Sequence, residues 1–222
     1  MNILAWHFLP ENGKTRYNNL PVEPGITRRH DGPLELCASG LHASVKLEDA
    51  LSFAPGPILC RVVCSGETIH GTDKLVSHER TILYMFDASR VLRLWGCWCV
   101  RNTKLRDGRT VWDLLTDPRS RNSVEVAERY AIGEATKKEL AAARDAARAA
   151  ARAGARTGAW AAARDAARAA AWDAARAAAW AAARAGARDA TWDAASKQLL
   201  VMAEDEAKRL GVWVPDPEVE NA

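Results

Sequence analysis

Ala143-Arg144-Asp145-Ala146-Ala147-Arg148-Ala149-Ala150-Ala151-Arg152 begins a tract in which every fourth residue is large and almost all others are alanine. The count of four continues through Arg156, Trp160, Arg164, Arg168, Trp172, Arg176, Trp180, Arg184 and Arg188 to Trp192. The residue after each large one is Ala, Asp or Thr, and the next is Ala or Gly. A repeat this regular outranks other sequence signals. Alanine has the highest helix propensity, so the tract is expected to be helical. Asp145/Arg148, Asp165/Arg168 and Asp173/Arg176 pair at a spacing of three, each adding a few tenths of a kcal/mol. Gly154, Gly158 and Gly186 each cost about 1 kcal/mol against alanine, which makes 154–158 the expected kink or hairpin.

A period of four overshoots a helical turn by about 40°. The large residues therefore wind round the axis and cannot make the 3.5-residue seam of a coiled coil. Either segments fold back, alanine face on alanine face, or a long helix offers its indoles to the first half of the chain or to a second copy. Flanking signals frame the tract. Asn122 with Glu125 reads as a helix start and Gly133 as its stop, and Thr136 with Glu139 is a second capping box. Leu199, Met202, Ala203 and Leu210 form an ordinary amphipathic stripe expected to dock on the fold. Gly211 then caps the helix, and Pro215 and Pro217 forbid continuation.

The first half has a different composition. All five cysteines (Cys37, Cys60, Cys64, Cys97, Cys99) lie in the first 99 residues, and all five histidines in the first 78. Ile3–Leu9, Leu34–Cys37, Ile58–Cys64 and Arg80–Phe86 read as strands. Lys46–Phe53, Ser89–Cys99 and Val111–Leu115 read as short helices. The expected fold class is α+β, a small sheet domain with short helices followed by an all-α, Ala-rich long-helix or helical-hairpin domain. The expected boundaries are 1–118, 122–211 and a tail at 212–222.

The net charge of +3 is too mild to predict nucleic acid by itself. With no leader and no long apolar run, the chain is expected to be soluble and cytoplasmic, without membrane contact. An odd cysteine count fits reduced thiols. Cys37, His42 and His70 with Cys60 or Cys64 lack the paired knuckles of a metal site, and no cofactor motif is present, so neither is expected. Cys97-Trp98-Cys99 is too tight for a redox pair, and core packing is the expected role.

Two polar loops are the candidate pocket. Ser39-Gly40-Leu41-His42-Ala43-Ser44 turns sharply at Gly40 and sets His42 beside two hydroxyls. His70-Gly71-Thr72-Asp73-Lys74 is similar and is followed by His78-Glu79-Arg80. If the loops converge, Ser39, His42, Ser44, His70, Asp73, Lys74 and Arg80 share a pocket with histidine as acid or base. If they do not, Ser and Asp cap their own turns. The candidate interaction surface is Trp160, Trp172, Trp180 and Trp192 with Arg164 and Arg176.

Ala5-Trp6-His7-Phe8-Leu9, Leu36-Cys37-Ala38-Ser39-Gly40-Leu41-His42-Ala43-Ser44, Asp49 to Pro57, His70 to Lys74 and Glu79 to Leu83 resemble an uncharacterised family of bacteriophages, prophages and high-GC bacteria. Its members carry similar Ala/Arg/Trp/Asp tails. The resemblance implies a bacterial host cytoplasm and an accessory or counter-defence role, with no assigned activity. The leading expectation is a non-enzymatic interaction protein whose helices drive self-association or bind a protein partner. The alternatives are a nucleotide binder or nucleotidyl- or ADP-ribosyl-transferase-like enzyme at the His42/His70 loops, and phosphate-backbone binding to nucleic acid by the arginine spiral.

Overall fold

The computed structural model describes residues 2–105, 107–154 and 189–217. It contains an antiparallel sheet of five strands and, among the described residues, six helices. The strands are β1 (Ile3–Leu9), β2 (Thr27–Arg29), β3 (Leu41–Ala43), β4 (Ile58–His70) and β5 (Leu75–Asp87). The helices are α1 (Leu47–Ser52), α2 (Ser89–Asn102), α3 (Val111–Leu114), α4 (Pro118–Ala131), α5 (Lys137–Gly154) and α6 (Asp189–Arg209). The chain divides into two compact units, Met1–Ala88 with Ala203–Ala222, and Ser89–Met202.

This corrects the expected fold class. No all-α second domain is described, because the centre of the Ala-rich tract lies outside the described residues. The end of α6 and the tail after it belong with the sheet unit. Propensity marks a segment as helical, but it says nothing about which partner that segment packs against.

In the first unit the long β4–β5 hairpin organises the sheet. Its turn closes with the Gly71 N–H donating to the Lys74 carbonyl at 2.8 Å. β1 pairs along β4 from Ile3↔Cys64 to Leu9↔Ile58. On its other edge β5 takes β3 (His42↔Val76) and then β2 (Arg28↔Arg80). Ser44, just after β3, exchanges two backbone bonds with Trp6 at 2.7 and 3.0 Å, so the sheet curls back onto β1. Irregularities at Arg61/Val62 and Ser65/Thr68 sharpen that curl. Period-two alternation turns Ala5 and Leu9, Cys60, Val62 and Cys64, and Ile82 into one apolar core. Asp216 of the tail binds Arg61, whose guanidinium lies 4.6 Å over the Trp6 ring.

In the second unit Leu115, Val124, Ala127, Leu140 and Ala143 share a core. Buried Trp95 donates its indole N–H to the Ala195 carbonyl at 2.7 Å. α4 begins at Pro118 with Asp117 as its cap, five residues before the expected cap at Asn122. Proline at the first helical position and an aspartate before it form the stronger signal. Gly133 takes a left-handed φ of +84° just beyond the Ile132 cap. The Thr136/Glu139 capping box forms as expected, with bonds of 2.7 and 3.2 Å. Asp145 and Arg148 pair at 3.3 Å. The other two Asp/Arg pairs lie outside the described residues. Gly211 closes α6, with the Val212 N–H donating to the Ala207 carbonyl. Leu199 and Ala203 are buried on α6, whereas Leu210 is exposed, so the expected stripe ends a turn early.

Leu34–Cys37 does not form a strand. It is a turn bridged at Glu35 and Ser39, and Gly40 leaves it with a φ of +112°. A Cβ on Gly40 would stand 2.3 Å from Val76 Cγ2 and 2.8 Å from Leu34 Cδ2. Gly40→Ala is expected to cost roughly 1–3 kcal/mol from combined backbone strain and overlap, read as the midpoint of urea unfolding.

Candidate functional site

β1, β2, β3 and the loops beside them surround a cavity of about 810 Å³ in the first unit. Its charged lining is one-sided. Arg16, Arg28, Arg29, Lys74 and Arg80 face it, and among the described residues no Asp or Glu does. Arg29 is paired at 3.1 Å with Glu79, outside the lining.

Arg80 is the anomaly. It falls in β5 at even spacing with Ile82, on the apolar face, opposite Cys64. It is 5% exposed. One Nη donates to the His42 carbonyl, and Nε is buried with no partner. The ionisable groups acting on it are the Cys64 and Cys60 thiols and the Arg28 guanidinium, and burial pushes its pKa down. Arg28 sits directly across β2–β5 from it and donates to the Pro21 carbonyl, a neutral acceptor. Like charges directly opposed across two strands are destabilising, and an uncompensated buried charge is costly.

His42 holds the loop in place. Its Nε2 accepts the Cys37 backbone N–H at 2.9 Å, which fixes the neutral ring. Desolvation lowers its pKa, and Arg80 and Lys74 lower it further against hydrogen bonds at Gly40 and Glu35. His7, half-buried on the core face of β1, is pushed well below the usual imidazole range. Burial is the main cause, followed by Arg80 and His42, while a backbone hydrogen bond at His42 works the other way. The Nε2 lone pair that a general base would use is occupied by the Cys37 N–H.

Lys74 reaches the cavity from the hairpin turn. Its ammonium lies 3.8 Å from the Phe53 ring centroid, 3.3 Å from Cys37 Sγ and 4.0 Å from Asp73. Of the residues singled out in the sequence, His42, Ser44, Lys74 and Arg80 line the cavity. Ser39 stands behind it, bonded at 3.0 Å to His30, which does line it. His70 and Asp73 stay on the hairpin end outside the lining, so His42 and His70 do not share the pocket. Trp160, Arg164, Trp172, Arg176 and Trp180 lie outside the described residues. Trp192 is half-buried on α6.

Sequence reading missed Arg28, His7 and the lip at Arg16-Tyr17. The Arg28-Arg29-His30 run between Pro24-Gly25 and Gly32-Pro33 was a usable signal. No His/Cys/Asp/Glu group able to hold a metal ion occurs among the described residues, and none of their helices is long and apolar enough to cross a membrane. No family model, curated protein or solved structure matches this chain.

Burial pushes the Cys60, Cys97 and Cys99 thiols up to about 12 and raises Cys64, while Cys37 is exposed. At pH 8 Ellman's reagent is expected to find one fast thiol, lost in Cys37→Ser, with the others reacting only after denaturation. The two depressed imidazoles give a pH dependence. Above about 6.5 both states hold them neutral; below it the unfolded chain takes up protons that the folded chain refuses. Urea midpoints are expected to be flat above pH 7 and to fall as pH drops from 6.5 towards 5.

Proposed function

We propose that this protein is a small-molecule binding protein whose pocket takes a phosphate-bearing anion between Arg28 and Arg80. The single observation that carries the reading is the opposed arginine pair, one member buried, in a cavity lined by no carboxylate among the described residues. A doubly charged anion would relieve the repulsion between the two guanidiniums and supply the acceptor that Arg80 Nε lacks. Arginine's planar fork suits tetrahedral oxyanions better than a point charge does. The cavity volume is in the range of sites that enclose whole metabolites. The scaffold and nucleic-acid readings rest mainly on tract residues outside the described structure, and no observed contact favours them.

The test is thermal unfolding with inorganic phosphate and pyrophosphate, using chloride at matched ionic strength as the control. Ligand at a hundredfold excess over Kd is expected to stabilise by about 2.7 kcal/mol. Arg80→Met separates this from a structural role. It removes an uncompensated buried charge, so the ligand-free variant is expected to melt no lower than the parent while losing the phosphate response. A wild type indifferent to both anions, with a variant that melts far lower, would mark Arg80 as structural.

A further inference from the structure

The cavity is larger than its anion seat, and the surplus has its own chemistry. Arg80 and Lys74 both act on the His42 ring, so cationic groups approach that imidazole from β5 and from the hairpin turn. Lys74 is pinned by the Phe53 ring. Across the mouth, the turn at Thr15–Leu20 is tied internally. The Thr15 N–H donates to the Leu20 carbonyl at 2.9 Å, the Leu20 N–H to Thr15 Oγ1 at 2.9 Å, and Asn19 takes a left-handed φ of 53°. That turn presents Tyr17 to the cavity with its side chain 91% exposed, and Arg16 stands 5.5 Å from the ring centroid. A large exposed aromatic in the lining of a cationic cavity, held by a loop bonded to itself, offers a stacking platform.

We infer that the ligand is a nucleoside diphosphate, one phosphate on Arg28 and Arg80, the other towards Lys74, and the base stacked on Tyr17. This rests on the anion-pocket reading and adds the identity of the rest of the molecule. Stacking on Tyr17 tolerates any base, because every base offers a π face. Thr15 and Asn18, bonded to each other through Oγ1 and Oδ1, line the same cavity. The pocket therefore distinguishes a nucleotide from pyrophosphate by its base, and a diphosphate from a monophosphate by Lys74.

Isothermal titration of the full chain with pyrophosphate, AMP, ADP and CDP tests each part. ADP and CDP are expected to bind about tenfold tighter than pyrophosphate. Tyr17→Ala, a change at an exposed position, is expected to erase that margin while leaving pyrophosphate affinity unchanged. Lys74→Gln is expected to erase the preference for ADP over AMP. Equal affinity for ADP and pyrophosphate, or a Tyr17→Ala effect of the same size on both, overturns the nucleotide inference and leaves the anion pocket standing. ADP binding no tighter than AMP overturns the diphosphate assignment. If pyrophosphate and every nucleotide fail to bind, the anion pocket fails with it.

Discussion

Everything at the candidate site depends on the register that sets Arg28 against Arg80. β5 pairs with β4 at Cys64↔Arg80 and with β2 at Arg28↔Arg80, so one row across the sheet reads Ile3, Cys64, Arg80, Arg28. An apolar residue at position 80 would extend the core defined by Cys64 and Ile82 without interruption. An arginine there brings a charge onto the buried face, and its neighbour across the ladder is a second arginine rather than a glutamate. Shifting β5 by one residue would turn Arg80 out to water and carry Ile82 with it. The hydrophobic pattern that fixes the register therefore also fixes the buried charge.

The loop before β3 is built to hold that arrangement. Gly40 carries the left-handed φ of +112° and packs against Val76 and Leu34. Cys37, also left-handed at 70°, turns its backbone N–H onto His42 Nε2. The ring is thereby locked neutral, and the His42 carbonyl is left to accept from Arg80. Histidine here is a backbone brace and a neutral spacer among cations. A non-glycine residue held left-handed, as Cys37 is, persists only where surrounding contacts over-determine it.

The sequence was most legible where a local rule decided the outcome. β1 spans the expected Ile3–Leu9 because a run rich in branched and aromatic residues meets Pro10. The Thr136 capping box and the Gly211 stop depend only on residues a few positions apart. β4 ran past its expected limit because Ser65-Gly66 reads locally as a terminus, and β5 begins five residues before the expected Arg80. In the fold Ser65-Gly66 is a bulge that the partner strand absorbs. Arg28 was illegible for a related reason. Between Pro24, Gly25, Gly32 and Pro33 nothing local marks three residues as an edge strand, and only the long-range pairing with Thr81–Glu79 does. The Ala-rich tract dominated the reading by its regularity, yet helix propensity carries no information about partners. The sorting of α2 and the end of α6 between the units follows from tertiary contacts alone.

Under the proposed reading, the pocket is organised for an anion before any anion arrives. The register sets the two arginines on the same face of neighbouring strands, and burial strips Arg80 of its hydration. Folding energy from the surrounding core holds Arg80 dehydrated beside Arg28, so a ligand that replaces the lost hydration meets donors already aimed and stripped of solvent. Under that reading the arrangement would exclude cations through like-charge repulsion, and it would disfavour apolar ligands because they leave Arg80 Nε without an acceptor. Selectivity of that kind comes at the expense of stability in the ligand-free protein. Cys60, Val62, Cys64 and Ile82 therefore have to form a core strong enough to carry one arginine that no described residue neutralises.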